Sequence, residues 1–142
     1  MEGKGDPSSM KIRLVLINDF THIGGAEKVI LQLCRYLQTL REGASWDIRG
    51  ISSGPGPFAD ALNDSINSEV SFVDFNRLKR EWRKPAAWRA VGGEFRAIVH
   101  DLKPDVILCN SLWSAVAVHR FLRRRPVPVI GAVHAAPVPK RR

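Results

Sequence analysis

The strongest pattern in the chain is the near-continuous apolar run at 11–18, Lys-Ile-Arg-Leu-Val-Leu-Ile-Asn, bounded by polar residues. A short run of this kind predicts a strand buried on both faces. After Gly24-Gly25, the apolar residues Ala26, Val29, Ile30, Leu33, Cys34, Leu37 and Leu40 recur at three- and four-residue steps. That is the period of an amphipathic helix. Strand, glycine turn and helix therefore follow one another directly.

The alternation continues. Trp46 to Ser52 switches between apolar and polar or small residues and ends at Gly54-Pro55-Gly56-Pro57, which predicts a second strand and a loop. Phe58 to Leu62 predicts a short helix, and Val70, Phe72, Val73 and Phe75 a third strand. Trp88, Val91, Phe95, Ile98, Val99 and Leu102 keep helical spacing despite Gly92-Gly93, and Pro104 stops the helix. Asp105 to Cys109 predicts a buried fourth strand presenting Asn110 and Ser111, and Leu112 to Arg125 a helix closing on three arginines. Pro126 to Val133 predicts a fifth strand ending at His134, with Val127 to Val133 as an exposed apolar edge. Strands alternating with helices imply an α/β fold, a Rossmann-like, doubly wound, mainly parallel sheet with helices on both faces.

In open parallel sheets, ligands bind beyond the carboxyl ends of the strands. That topology makes Gly24, Gly25, Asn110, Ser111 and His134 the candidate site residues. Paired glycines allow close approach to a ligand, and the first amides of the following helix can hold a phosphate or carboxylate. Equally, the glycines turn the chain and Glu27 sits favourably in the first helical turn. His134 reads either as a site residue or as a hydrogen-bonded loop histidine.

At 142 residues the chain is long enough for one domain. Residues 1–10 read as a disordered tail, 11–134 as the domain and 135–142 as a basic tail. The net charge of +8 implies an anionic partner (nucleic acid, a membrane or a phosphorylated substrate) or a surface kept basic for solubility. Much of it falls between Arg77 and Arg89, where Glu81 is the single acid and Trp82 and Trp88 interrupt the basic residues. Such a segment suits an anionic membrane surface, with Arg77, Lys79, Arg80, Trp82, Arg83 and Lys84 as the contacts. It also suits a nucleic-acid backbone with stacking aromatics, or a solvated loop with Trp88 in the core. Because no nucleic-acid motif accompanies the charge, no nucleic-acid partner is expected.

Cys34 and Cys109 lie on apolar stripes and read as reduced core residues, as in a cytoplasmic environment. Neither has a cysteine or histidine at metal-ligand spacing, so no metal is expected. No window reaches the apolar length of a membrane span.

The segment Lys-Ile-Arg-Leu-Val-Leu-Ile-Asn-Asp-Phe-Thr-His-Ile-Gly-Gly-Ala-Glu-Lys-Val at 11–29 resembles the amino terminus of glycosyltransferase family 4. It lacks the third glycine of a dinucleotide fingerprint and the Lys-Ser or Lys-Thr of a phosphate loop. Asp105-Val106 stands where the family has an Asp-Val segment in its fourth strand and Val133-His134 where it has a Val-His at the end of its fifth, and many relatives carry a histidine at or near Asn110. The resemblance implies one half of a two-domain GT-B enzyme. In it, His134 faces the donor sugar near the reaction centre, and Gly24 and Gly25 face donor phosphate or acceptor. The implied activity is retaining transfer from a nucleotide sugar to a lipid-linked or saccharide acceptor, without cofactor, in the cytoplasm or at the inner membrane face. The family's second domain holds the nucleotide sugar through a Glu-x7-Glu motif. Only eight residues follow His134 here, so a partial chain, inactive alone, is expected. A non-catalytic binding module docking on a membrane or protein is the alternative.

Overall fold

The computed structural model describes residues 10–40, 43–124 and 127–132. The elements are β1 (Met10–Asn18), α1 (Gly25–Thr39), β2 (Ala44–Ser52), α2 (Pro57–Ile66), β3 (Val70–Phe72) and α3 (Phe75–Arg80). They continue with α4 (Pro85–Leu102), β4 (Val106–Cys109), α5 (Leu112–Phe121) and β5 (Val129–Gly131). The five strands form one parallel sheet in the order β3-β2-β1-β4-β5. This is the α/β, Rossmann-like arrangement that the alternating pattern predicts.

β1 is central, which explains the unbroken apolar run from Leu14 to Ile17. Successive side chains of a strand point to opposite faces, so a strand covered on both sides must be apolar at every position. Val15 and Ile17 pack with Phe75 and Leu78 of α3, Phe95 of α4 and Phe121 of α5. Leu14 and Leu16 pack on the other face with Ile30 and Cys34 of α1 and with Phe58 and Leu62 of α2. Burying each such side chain fully contributes about 1.5–3 kcal/mol relative to leaving it in water.

Gly92 has a packing reason to interrupt the α4 pattern. A Cβ built there would stand 2.6 Å from the Phe121 ring, whereas one at Gly93 meets nothing within 4 Å. The glycine lets α5 bring Phe121 against α4, where its ring centroid lies 5.8 Å from those of both Trp88 and Phe95.

Several boundaries differ from the sequence reading. Met10 opens β1 instead of closing a tail; the rest of that tail, 1–9, lies outside the described residues. Phe75 begins a helix instead of continuing the third strand, because the Asp74 carboxylate accepts the Arg77 amide at 3.0 Å and starts α3. The basic segment is thereby split between α3, a turn at 81–84 and the start of α4. α5 stops at Phe121, short of the three arginines. Of the predicted fifth strand, Val129–Gly131 is present at the sheet edge, with Val129 and Ile130 exposed. Pro126 and Val133 lie outside the described residues, as does the tail at 135–142.

Candidate functional site

The chain leaves β1 toward β2 and β3 on one side, then returns across the sheet to β4 on the other. The topological switch point therefore lies between β1 and β4, where an open α/β sheet forms its ligand crevice. Polar groups gather at these strand ends: Asn18, Asp19, Ser52, Ser53 and Asn110 are all buried. Buried polar groups are costly unless paired, and most of these are. Asn110 donates through its backbone N–H to the Ile17 carbonyl at 3.0 Å and through Nδ2 to Asn18 Oδ1 at 3.2 Å. Asn18 Nδ2 in turn donates to the Phe20 carbonyl at 3.0 Å. Asn110 thus ties the end of β4 to the end of β1.

Ser111 caps α5. Its hydroxyl accepts from the Ser114 amide at 3.2 Å, while Ser114 Oγ accepts from the Ser111 amide at 3.1 Å. Both termini of the crevice are thereby fixed: β4 by Asn110, and α5 by this reciprocal serine pair.

The β1–α1 loop is held from the neighbouring β2–α2 loop. Ser53 Oγ donates to the Asp19 carbonyl at 2.7 Å, and the Phe58 amide donates to the Thr21 carbonyl at 3.1 Å. Gly56 permits that approach, because a Cβ there would stand 2.8 Å from the Thr21 oxygen. At the start of α1, the buried Glu27 carboxylate accepts the Gly24 N–H at 2.9 Å. Glu27 therefore occupies one of the helix-terminal donors. Gly25 differs, since nothing lies within 4 Å of where its Cβ would be. Its bare backbone faces open space.

The side chain of Asp19 is fully buried, and Oδ2 lies against the Lys79 ammonium. Among the described residues, Oδ1 has no hydrogen-bond donor, and the buried Ser52 hydroxyl also lacks a partner. Lys79 additionally lies over the Phe20 ring, 4.8 Å from its centroid. It therefore fastens α3 to the loop that leaves β1.

The other basic candidates divide. Arg77 and Lys84 both bind Glu81, at 2.8 and 3.0 Å, and hydrogen bonds from Arg77 and then Lys84 hold that carboxyl below its usual range. Arg80, Trp82 and Arg83 are exposed. The single basic run thus contains both structural clamps and outward cations.

Burial pushes the Cys34 thiol from 9.0 up to about 11. Burial does the same for Cys109, also to about 11, against an opposing hydrogen bond with Ser114. Both thiols are free and protonated at neutral pH, which makes them core residues and poor nucleophiles.

The structure brings Gly24, Gly25, Asn110 and Ser111 to the strand-end side of the sheet; His134 lies outside the described residues. Asn18, Asp19, Ser52 and Ser53 are site-shaping residues that the sequence reading does not single out, and Lys79, which it places among the membrane contacts, is instead paired with buried Asp19. Asp19 carries a usable signal, an acid directly after a buried strand. Lys79 carries no signal for this pairing, because it is one cation among many in its run. Among the described residues, no helix is long and apolar enough to cross a membrane.

No curated protein matches the chain closely enough to count as a relative. The family model of the glycosyl transferase 4-like domain matches residues 24–142, from the glycine pair at the opening of α1 onward. With a parallel sheet whose switch point lies beside that glycine pair, the chain belongs to the glycosyltransferase 4-like family.

Proposed function

We propose that this domain forms the acceptor-side wall of a retaining glycosyltransferase that moves a sugar from a nucleotide-sugar donor to a lipid-linked or saccharide acceptor. The observation that carries the reading is the placement of Gly24-Gly25, at the opening of α1 with open space over Gly25. The amides of Gly25 and Ala26 stand in the first helical turn, where intrahelical acceptors are lacking. As a nucleoside diphosphate departs, negative charge grows on its phosphate oxygens. Donors fixed in advance by a helix terminus stabilise such charge without reorganising. Glu27, by occupying the Gly24 amide, leaves the next two amides as the ones facing a ligand. Asn110, Ser53 and Lys79 act at one remove, holding the strand ends and the loop in place. His134 enters the reading through the family resemblance, as the residue facing the donor sugar. The transfer also calls on a second domain to hold the nucleotide. Residues 1–142 by themselves are expected to show no turnover, because one wall does not close a cleft around donor and acceptor.

The test is an amide NMR titration of residues 1–142 with inorganic pyrophosphate as the phosphate probe. The expected result is shifts at Gly25 and Ala26 that Gly25→Val abolishes while the denaturation midpoint stays unchanged, since the valine meets no neighbour. Shifts that survive Gly25→Val, or that never occur at these amides, would remove the phosphate from this end of α1.

A further inference from the structure

Two overlapping hollows of about 710 and 830 Å³ lie between α4 and α5 and share Arg96, Arg120 and Phe121. The turn before α4 adds Trp82 and Arg83, and its first helical turns add Trp88 and Arg89. Among the described residues, no aspartate or glutamate lines either hollow. Within the same residues, none of Arg83, Arg89, Arg96 and Arg120 has a carboxylate within ion-pair distance. Three of these guanidinium groups are held over aromatic rings instead. Arg83 lies 4.8 Å from the Trp82 ring centroid, Arg120 5.4 Å from that of Trp88, and Arg96 5.8 Å from that of Phe121. A cation–π contact steadies a guanidinium without consuming its N–H donors. Those donors suit phosphate oxygens, which guanidinium forks bind at two points.

The rim of the groove distinguishes between sources of phosphate. Leu112 is 78% exposed, Trp82 55% and Val116 37%. Leu112, Val116 and Arg120 follow at four-residue steps and share one face of α5. Outward apolar side chains beside cations match the boundary of a bilayer, with tryptophan at headgroup depth and arginine at the phosphates. A small soluble phosphate compound would leave those apolar groups in water. We infer that the α4–α5 groove docks on the phosphate-bearing headgroups of an anionic bilayer. The docking charge therefore belongs to Arg83, Arg89, Arg96 and Arg120, while Arg77, Lys79 and Lys84 are held by acids of the protein itself.

The test is sedimentation of residues 1–142 with phosphatidylcholine vesicles, with and without phosphatidylglycerol. Binding is expected only when phosphatidylglycerol is present. The double variant Arg96→Gln/Arg120→Gln should lower partitioning on the order of thirtyfold. Lys28→Gln/Arg35→Gln removes the same charge from α1 on the opposite sheet face and should lower it less than about threefold. Trp82→Ser/Leu112→Ser, which alters no charge, should also weaken binding. Equal losses in the two charge-matched variants would overturn the assignment to this groove. Displacement by inorganic pyrophosphate, with no effect of Trp82→Ser/Leu112→Ser, would make it a site for soluble phosphate. Tighter binding of single-stranded nucleic acid than of the anionic vesicles at matched salt would make it a nucleic-acid surface.

Discussion

The crevice at the ends of β1 and β4 and the groove between α4 and α5 are both polar, yet their polarity is of opposite kinds. At the crevice, polar groups are buried and bind one another: Asn110 to Asn18, Ser53 to the Asp19 carbonyl, and Lys79 to the Asp19 carboxylate. At the groove, six arginines line the walls and none of the described acids does. The first arrangement fixes backbone positions, as a site that aligns reactants requires. The second leaves charge available to something outside the protein. Lys79 and Arg83 lie four residues apart in one basic run and fall on opposite sides of this division. What a cation does is decided by the tertiary partner it meets, which local composition does not contain.

The largest effect that tests this division is therefore expected at Lys79. Lys79→Ala leaves the fully buried Asp19 carboxylate without its counter-charge. Removing one member of a buried ion pair costs about 3–5 kcal/mol. Because Lys79 is itself partly exposed, the lower end, about 3 kcal/mol, is expected in denaturant unfolding. Arg83→Gln should change stability by less than about 0.5 kcal/mol, as for exposed substitutions generally. Comparable midpoints for the two variants would erase the distinction between clamp and outward cation. Asp19→Asn/Lys79→Met, which removes both charges, should recover part of the loss if the unpaired charge is its cause.

An intermediate effect is expected at the floor of the groove. Gly92→Ala places a methyl group 2.6 Å from the Phe121 ring and should cost about 1–3 kcal/mol. Gly93→Ala meets nothing and should stabilise the helix by about 0.5–1 kcal/mol. Opposite signs at adjacent glycines, read from thermal unfolding, would confirm that α5 is seated through Gly92. The displacement should disturb binding at the groove while sparing the crevice, since Phe121 packs with Trp88 and Phe95.

These particulars also mark what sequence can carry. The parallel sheet is legible because β1 is apolar at every position from Leu14 to Ile17, a pattern that a strand covered on both faces requires. The crevice is legible as a location, since topology alone sends Gly24 and Asn110 to the same end of the sheet. The role of Asn110 is not, because its partners Asn18 and Ile17 are brought opposite by strand register. α3 escapes the pattern since one turn and a half of helix holds too few apolar positions to establish a period, and Phe75 prolongs the apolar alternation before it. The groove escapes for a similar reason. Its arginines come from separate segments, Arg83 to Arg96 on one side and Arg120 to Arg124 on the other, and only the packing of α4 on α5 makes them neighbours.

The smallest effect concerns the two thiols, which have no part in the groove's charge. The pKa of Cys34 rises from 9.0 to about 11 through burial, as does that of Cys109. A folded-state pKa above the unfolded value means that the fold favours the protonated thiol. The contribution is complete below pH 9, and it disappears as pH rises from about 9 toward about 11. At pH 10 the expected loss is about 1 kcal/mol per thiol, since a tenfold difference in proton affinity between the folded and unfolded chain is worth about 1.4 kcal/mol. Tyrosine and lysine titrate in the same window, so the measurement is a difference. Unfolding free energy is followed from pH 8 to pH 10.5 in the wild type and in Cys34→Ala/Cys109→Ala, and the wild type should fall more steeply. The two thiols should contribute comparably, since both rise to about 11, and single alanine variants read the two shares. Parallel pH profiles for wild type and double variant would mean that thiolates are tolerated in this core, and that the sheet beneath the crevice admits water.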